Sequence, residues 1–192
     1  MMFEPSGHLF TPVDAEAPRR VTRLHELGLG DRPDPEFDEF ARALAGATKA
    51  PLAMVNFIDE HRQYFAGLYA PSLVQAAPDV TGAPVPADDP ARVMERDHGW
   101  CPHVVVRRKA LVLDDVCDYP RFAGNPVVDK IGIRSYLGAP LIDRTGTALG
   151  TICIVDREPR PWGHYGLNFI KNRAAELIRV IHEREREQGS QS

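Results

Sequence analysis

Apolar side chains recur at helical spacing in two long segments of the chain. The stripes predict one helix over residues 36–49, capped by Asp34, and another over residues 163–187. A short helix is also predicted around residues 21–27, ending at Gly28. The stripe positions are Phe37, Phe40, Ala41 and Leu44 in the first long helix and Ile170, Ala174, Leu177, Ile178 and Ile181 in the second.

Apolar, β-branched runs joined by polar turns predict strands in the remaining segments. Residues 133–156 predict a hairpin around a turn from Asp143 to Gly146, and residues 51–70 predict an earlier hairpin. Pro140 cannot donate a ladder hydrogen bond and is expected at a bulge or a sheet edge. Gly138 and Gly150 interrupt the late strands, which indicates a close backbone approach or a ligand.

The order of the elements predicts the fold class. It is helix, two strands, loop, three strands and helix, which favours an α/β protein of the α+β type with an antiparallel sheet and both long helices on one face. We expect a flexible arm over residues 1–20, a single domain over residues 21–187 and a disordered tail over residues 188–192. The proline-rich segment 71–97 is expected to be a long loop with one short helix near residues 90–96.

Composition excludes several classes of function. The 192 residues carry a net charge of −4, which provides no reason to expect a nucleic acid or an anionic membrane as partner. No 18-residue apolar run and no signal peptide are visible, and three cysteines at irregular spacing suggest a reducing, cytoplasmic setting.

The late hairpin, with the letters IRSYLGAPL and LGTICIVD, resembles the last hairpin of a GAF domain, a small-molecule-sensing module of signalling proteins. Further matches along residues 23–158 are Asp59, Arg62 to Phe65, Cys101, His103, Asp115, Pro120 to Phe122, and Asn125 with Pro126. The resemblance implies a central sheet of five or six antiparallel strands with the terminal helices on one face. The other face would be covered by a roof, residues 71–132, above a ligand pocket.

Seven residues are candidates for that pocket. Arg134 and Tyr136 alternate onto one face of their strand, and an arginine in a partly closed cavity would favour an anionic or carbonyl-bearing ligand. The alternative for Arg134 is a salt bridge to Asp115 or Asp129. Asn56 is either a pocket residue or a cross-strand hydrogen bonder. The full set is Asn56, Trp100, Cys101, His103, Phe122, Arg134 and Tyr136.

The cysteines and histidines raise two possibilities, metal binding and thiol chemistry. His98, Cys101, His103 and Cys117 are of the types that bind zinc or iron, but their spacing fits no standard site, so no metal is predicted and any cofactor is unknown. Methionine sulfoxide reductases and bilin photoreceptors of GAF-like fold need a cysteine shortly before the final hairpin. Residues 118–135 contain none. Catalysis is therefore not expected.

The sequence thus predicts a sensory or regulatory protein that binds an unidentified small molecule, has no catalytic activity and acts on a signalling partner. The alternatives are a redox enzyme that uses Cys101 and a degenerate module that only dimerises. We also expect a homodimer joined by the terminal helices. A helix of 25 residues is about 37 Å long, so we expect Leu177 and Ile181 to need a second copy to cover them, unless the stripe packs on its own sheet.

Overall fold

A computed structural model of the chain describes residues 11–73 and 86–191. Within them the helices are α1 (Ala17–Leu27), α2 (Pro35–Thr48), α3 (Cys101–Arg107), α4 (Pro120–Ala123), α5 (Pro126–Ile131) and α6 (Gly163–Gly189). The strands are β1 (Leu52–Ile58), β2 (Arg62–Tyr69), β3 (Val93–Glu95), β4 (Leu111–Leu113), β5 (Ser135–Ile142) and β6 (Ala148–Asp156). They form one sheet in the order β3-β2-β1-β6-β5-β4, and every adjacent pair is antiparallel.

The sheet separates two hydrophobic cores, because successive strand residues point to opposite faces. On one face α1, α2 and α6 cover side chains such as Val55 and Ile152. On the other face α3, α4, α5 and the segment before β3 cover side chains such as Met54 and Cys153. The predicted α+β fold, with the long helices together on one face and a roof on the other, is confirmed.

The predicted helix cap and hairpin turn are also confirmed. The Asp34 carboxylate accepts hydrogen bonds from the backbone N–H groups of Glu36 and Phe37, at 2.9 and 3.3 Å. In the β5–β6 turn, Asp143 accepts from the N–H groups of Thr145 and Thr147, and Gly146 takes a φ of 77°. Local side-chain chemistry therefore fixes both features.

Proline and glycine in the strands lie where their geometry requires. Pro140 is in the part of β5 beyond the short strand β4, where the sheet edge is open. A Cβ on Gly150 would lie 1.9 Å from the carbonyl oxygen of Asn56 in the neighbouring strand β1. Gly67 of β2 allows a similar approach, since a Cβ there would lie 2.3 Å from the carbonyl oxygen of Phe37 in α2.

The N-terminal boundary was wrong. Helix α1 begins at Ala17 rather than at residue 21, and the Arg20 side chain is fully buried. Its guanidinium donates to the carbonyl oxygen of Ala148 and pairs with Asp14, at 2.5 and 2.6 Å. These contacts dock residues 14–20 on the domain. The rest of the predicted arm, residues 1–10, lies outside the described residues.

Two other predicted segments differ in length or type. A single 3-10 turn, Pro90–Arg92, followed by strand β3 replaces the short helix expected near residues 90–96. Asp89 caps this turn, and β3 then pairs with the edge of β2. Helix α6 continues to Gly189, past the predicted start of the tail at residue 188, while residues 74–85 of the predicted loop are outside the described residues.

The stripe of α6 is covered within one chain. Leu177 and Ile181 are only 1% and 2% exposed, because they pack in the core formed with the sheet and α2. The end of α6 is also tied down by Arg184, whose guanidinium lies 2.5 Å from the Asp34 carboxylate. The expectation that Leu177 and Ile181 need a second copy is therefore wrong, although the homodimer itself stays a prediction.

Adding one methyl group at Gly67 should strongly destabilise the fold. Gly67→Ala forces β2 away from the backbone of α2, and we expect it to lower the free energy of unfolding by about 2 kcal/mol or more. Gly46→Ala is the matched control, because Gly46 is helical and a Cβ there meets nothing within 4 Å. It should leave stability unchanged or raise it by up to about 1 kcal/mol. Urea denaturation of both variants measures the difference, and equal effects would contradict the close approach.

Candidate ligand-binding site

A cavity of about 340 Å³ lies between the sheet and the roof. Its walls are mostly apolar, and its volume is that of a site for a small organic molecule. The sheet contributes Leu52, Met54, Phe65, Leu68, Met94, Cys153 and Val155. The roof contributes Ala91, Trp100, Val127 and Ile131. The polar side chains on the lining are Gln63, Cys101, Lys130 and Tyr136.

Asn125 joins two parts of the roof. Its side-chain oxygen accepts from the N–H of Gly99 at 2.9 Å, and its side-chain nitrogen donates to the carbonyl oxygen of Gly99 at 2.8 Å. Because Asn125 caps α5 and Gly99 immediately precedes Trp100, this pair fixes Trp100 relative to α5. Trp100 is 1% exposed, and its indole N–H has no hydrogen-bond partner among the described residues.

Gln63 connects the sheet to the roof. Its side-chain nitrogen donates to the carbonyl oxygens of Glu95 and His98, at 2.8 and 2.7 Å. Its side-chain oxygen accepts from Asn56 at 2.8 Å. Asn56 is thus the cross-strand hydrogen bonder that the sequence left as one alternative, and Gln63 is the residue that reaches the cavity. Sequence reasoning missed Gln63 as a site residue, although it lies in the segment from Arg62 to Phe65 that matched the family.

Cys101, Tyr136 and Cys153 contact one another in the lining of the cavity. The sulfur of Cys101 lies 3.6 Å from that of Cys153 and 3.2 Å from the hydroxyl oxygen of Tyr136. All three residues are at most 5% exposed. Gly138 makes room for this arrangement, since a Cβ there would lie 2.2 Å from the Tyr136 hydroxyl. The sequence placed Trp100, Cys101 and Tyr136 at the pocket, and it missed Cys153.

The contacts in this group shift its acidities in opposite directions. The hydrogen bond with Cys153 outweighs burial and lowers the pKa of the Cys101 thiol, and the Tyr136 hydroxyl adds to the effect. The pKa of the Cys153 thiol is raised by the same hydrogen bond and by burial. Burial raises the pKa of Tyr136. Cys101 is therefore the more easily ionised thiol, and Cys153 and Tyr136 remain protonated beside it.

His103 and Phe122 are buried next to each other but do not line the cavity. Their rings meet edge to face, with centroids 5.4 Å apart and an interplanar angle of 81°. His103 instead borders a separate surface pocket with Val104, Arg107 and Lys109. Burial lowers the pKa of His103 to about 4, and the charge of Arg107 adds to this effect. Both residues are corrected from ligand contacts to packing residues, because neither His103 on α3 nor Phe122 on α4 lines the cavity.

Arg134 also lies outside the cavity. It precedes β5, and its guanidinium donates to both carboxylate oxygens of Asp115, at 3.1 and 2.6 Å. This ion pair lowers the pKa of Asp115. The salt bridge was the alternative that the sequence left open. Because the anionic ligand was expected from an arginine in the cavity, Arg134 no longer supports it.

The histidines and cysteines considered for a metal are not gathered into one group in the described part of the chain. Cys117 is exposed, whereas Cys101 is buried. Among the described residues, the donors that lie close enough to share an ion are Glu95, Asp97 and His98. They are at the surface, where His98 pairs with Glu95 at 3.1 Å.

Replacement of His103 should remove a pH-dependent part of the stability. Between pH 6.5 and 4 the unfolded chain binds a proton on His103 that the folded chain does not, so the free energy of unfolding falls as the pH is lowered. The lowered pKa corresponds to about 3 kcal/mol over this range. His103→Leu should flatten the wild-type slope, measured by urea denaturation at each pH. His164→Leu, at an exposed position, is the control, and an unchanged slope in His103→Leu would contradict the assignment.

Comparisons with known proteins agree with this geometry. A family model described as the GAF domain matches residues 32–181. A cyclic di-GMP phosphodiesterase of Pseudomonas aeruginosa is 28% identical over 174 residues, which is 89% of this chain but only 27% of that protein. The chain therefore spans about a quarter of that relative's length.

Solved structures share the fold at low sequence identity. The GAF domain of an Acinetobacter phosphoenolpyruvate-protein phosphotransferase has a TM-score of 0.57 at 15% identity, covering 92% of this chain and 99% of that one. A free methionine-R-sulfoxide reductase of Neisseria meningitidis has a TM-score of 0.59 at 13% identity, covering 95% and 99%. With the family match over most of its length, the chain belongs to the GAF domain family.

Proposed function

We propose that this chain is a sensory domain that binds a small, largely apolar molecule between the sheet and the roof. The proposal is supported by the cavity and by Trp100 in its lining, whose buried indole N–H has no hydrogen-bond partner among the described residues. A buried donor without a partner costs stability, and a ligand with one acceptor atom would remove that cost. The ligand would therefore combine an apolar body with a hydroxyl, carbonyl or ether oxygen near Trp100.

The roof is suited to respond to such a ligand. Ala91, Trp100 and Ile131 come from three different segments above the cavity, so a molecule in contact with all three would couple them. The cavity also favours binding over the alternative of a degenerate module. The domain's output would pass to another protein or to another domain of a longer chain, as the partial coverage of the phosphodiesterase from Pseudomonas suggests.

A homodimer joined by the terminal helices is a further part of the proposal. Leu177 and Ile181 cannot form its interface, because they are buried in one chain. The outer side of α6 offers another surface, since Leu167, Ala175 and Ile178 line an open groove of about 630 Å³ beside Pro140 and Ile142 of β5.

None of the described helices is both long enough and apolar enough to span a membrane.

Ligand binding can be followed through Trp100 alone. The chain has two tryptophans, and Trp162 lies in the core on the other face of the sheet. Trp162→Phe therefore leaves one tryptophan, at the cavity, whose emission is excited selectively at wavelengths that tyrosine does not absorb. We expect saturable changes in its emission when a panel of aryl and alkyl alcohols and ketones is titrated.

Two further substitutions in the Trp162→Phe protein locate the binding. Ala91→Phe should fill the cavity and weaken binding by about tenfold or more. Ala47→Phe adds the same side chain on an exposed part of α2 and should bind like the parent. No saturable response to any compound, or an equal response in Ala91→Phe, would refute the cavity as the ligand site.

The dimer is tested by light scattering at tens of micromolar. Wild-type protein should have twice the mass of one chain. The groove already carries the cations Arg108, Lys109 and Lys171, so Ile178→Lys adds a like charge and should dissociate the dimer. Asn172→Lys introduces the same charge at an exposed position outside the groove and should remain dimeric. A monomeric wild type, or a dimeric Ile178→Lys variant, would show that this surface does not join two copies.

A further inference from the structure

Two thiols lie next to each other in the lining of the cavity. Cys101 begins α3 in the roof, and Cys153 lies in the middle of β6 in the sheet. Both line the cavity, and their sulfur atoms are 3.6 Å apart. The residues are 52 positions apart in sequence, so only the fold brings them together. The partner of Cys101 thus lies in β6 and not in residues 118–135.

We propose that this pair reacts with organic hydroperoxides that enter the cavity and is converted to a Cys101–Cys153 disulfide. The inference rests on the proposed ligand site and names the reactive class of its ligand. Three features support it: a thiol with an adjacent second thiol, a hydroxyl group within 3.2 Å, and apolar walls that would accept an alkyl or aryl group.

The first step oxidises Cys101. Its sulfur attacks the terminal peroxide oxygen, an S–O bond forms, and the O–O bond breaks. The sulfur loses two electrons, the peroxide gains them, and the products are Cys101 sulfenic acid and an alcohol. The thiol proton ends on the departing alkoxide, and the Tyr136 hydroxyl is close enough to the sulfur to relay it.

The second step joins the two sulfurs. The Cys153 sulfur attacks the sulfenic sulfur, an S–S bond forms and the S–O bond breaks. The hydroxide that leaves takes the Cys153 proton and departs as water. Two thiols and one hydroperoxide thus become one disulfide, one alcohol and one water.

The disulfide would change the shape of the roof. A disulfide bond is about 2.05 Å long, so the sulfurs must approach by about 1.5 Å. Cys101 follows Trp100 directly and precedes Pro102, which stiffens the start of α3. The approach would therefore pull on Trp100 and on Gly99, which is bonded to Asn125 of the neighbouring helix.

Mass spectrometry of the reacting thiols tests the proposal. The protein, in a Cys117→Ser background that removes the exposed thiol, is treated with one equivalent of cumene hydroperoxide. We expect the intact mass to fall by two hydrogens and a peptide map to show Cys101 joined to Cys153. Cumene hydroperoxide should react about tenfold faster than hydrogen peroxide, because its aryl group is buried in the cavity. The Ala91→Phe substitution should remove this preference.

Substitution of each thiol identifies its role. Cys153→Ala should accumulate a sulfenic acid on Cys101, which dimedone traps. Cys101→Ala should form neither the sulfenic acid nor the disulfide. If a variant fails to fold, the peptide map of the protein that retains both thiols still shows whether the Cys101–Cys153 disulfide forms. Oxidation that yields no Cys101–Cys153 peptide, or an equal rate with hydrogen peroxide, would overturn the proposal.

A separate measurement distinguishes this proposal from the proposed function. The alcohol product, 2-phenyl-2-propanol, cannot oxidise a thiol, so its effect on Trp100 fluorescence in the Trp162→Phe protein reports binding only. Binding of the alcohol without oxidation by the hydroperoxide would refute the thiol chemistry and leave the ligand site intact. Disulfide formation without alcohol binding would refute the ligand site as the route of entry.

Discussion

The cavity depends on a buried ion pair between Arg92 and Asp38. The Arg92 guanidinium is fully buried and donates to both carboxylate oxygens of Asp38, at 3.1 and 3.0 Å. It also donates to the carbonyl oxygen of Phe65 at 2.7 Å, while Asp38 accepts from the N–H of Leu68. One cluster thus joins the roof, the edge of the sheet and helix α2. Removing one partner of such a pair typically costs about 3–5 kcal/mol, because the other charge is left buried.

Other arginines also connect segments that are distant in sequence. Arg20 and Arg96 both pair with Asp14, which brings the N-terminal segment against the end of β3. Arg160 donates to the carbonyl oxygens of Thr48 and Lys49, at 2.8 and 2.6 Å, and so ties the loop before α6 to the end of α2. A guanidinium can satisfy several acceptors at once, which lysine cannot do in this planar geometry. The excess of 19 arginines over 4 lysines therefore has a structural use in this fold.

Features set by neighbouring residues could be predicted from the sequence. The cap at Asp34, the turn at Asp143 and the stripe of α6 each depend on spacing along one segment, and all three are present. Features set by contacts between distant segments were missed or misplaced. Arg134 was placed in the pocket from strand alternation alone, but β5 begins only at Ser135 and Asp115 captures the guanidinium. Cys153 could not be predicted as a site residue for a related reason, because no local sequence pattern shows that it lies next to Cys101.

The position of Cys153 also links the cavity to the helical face of the sheet. Its side chain faces the cavity, whereas the adjacent Ile152 and Ile154 face the core that contains α2 and α6. At Gly150 the same strand approaches β1 so closely that a methyl group cannot be inserted. In such a closely packed strand, a displacement of one residue shifts its neighbours. A displacement of Cys153 towards the roof would therefore also shift Ile152 and Ile154, which contact the core of the terminal helices.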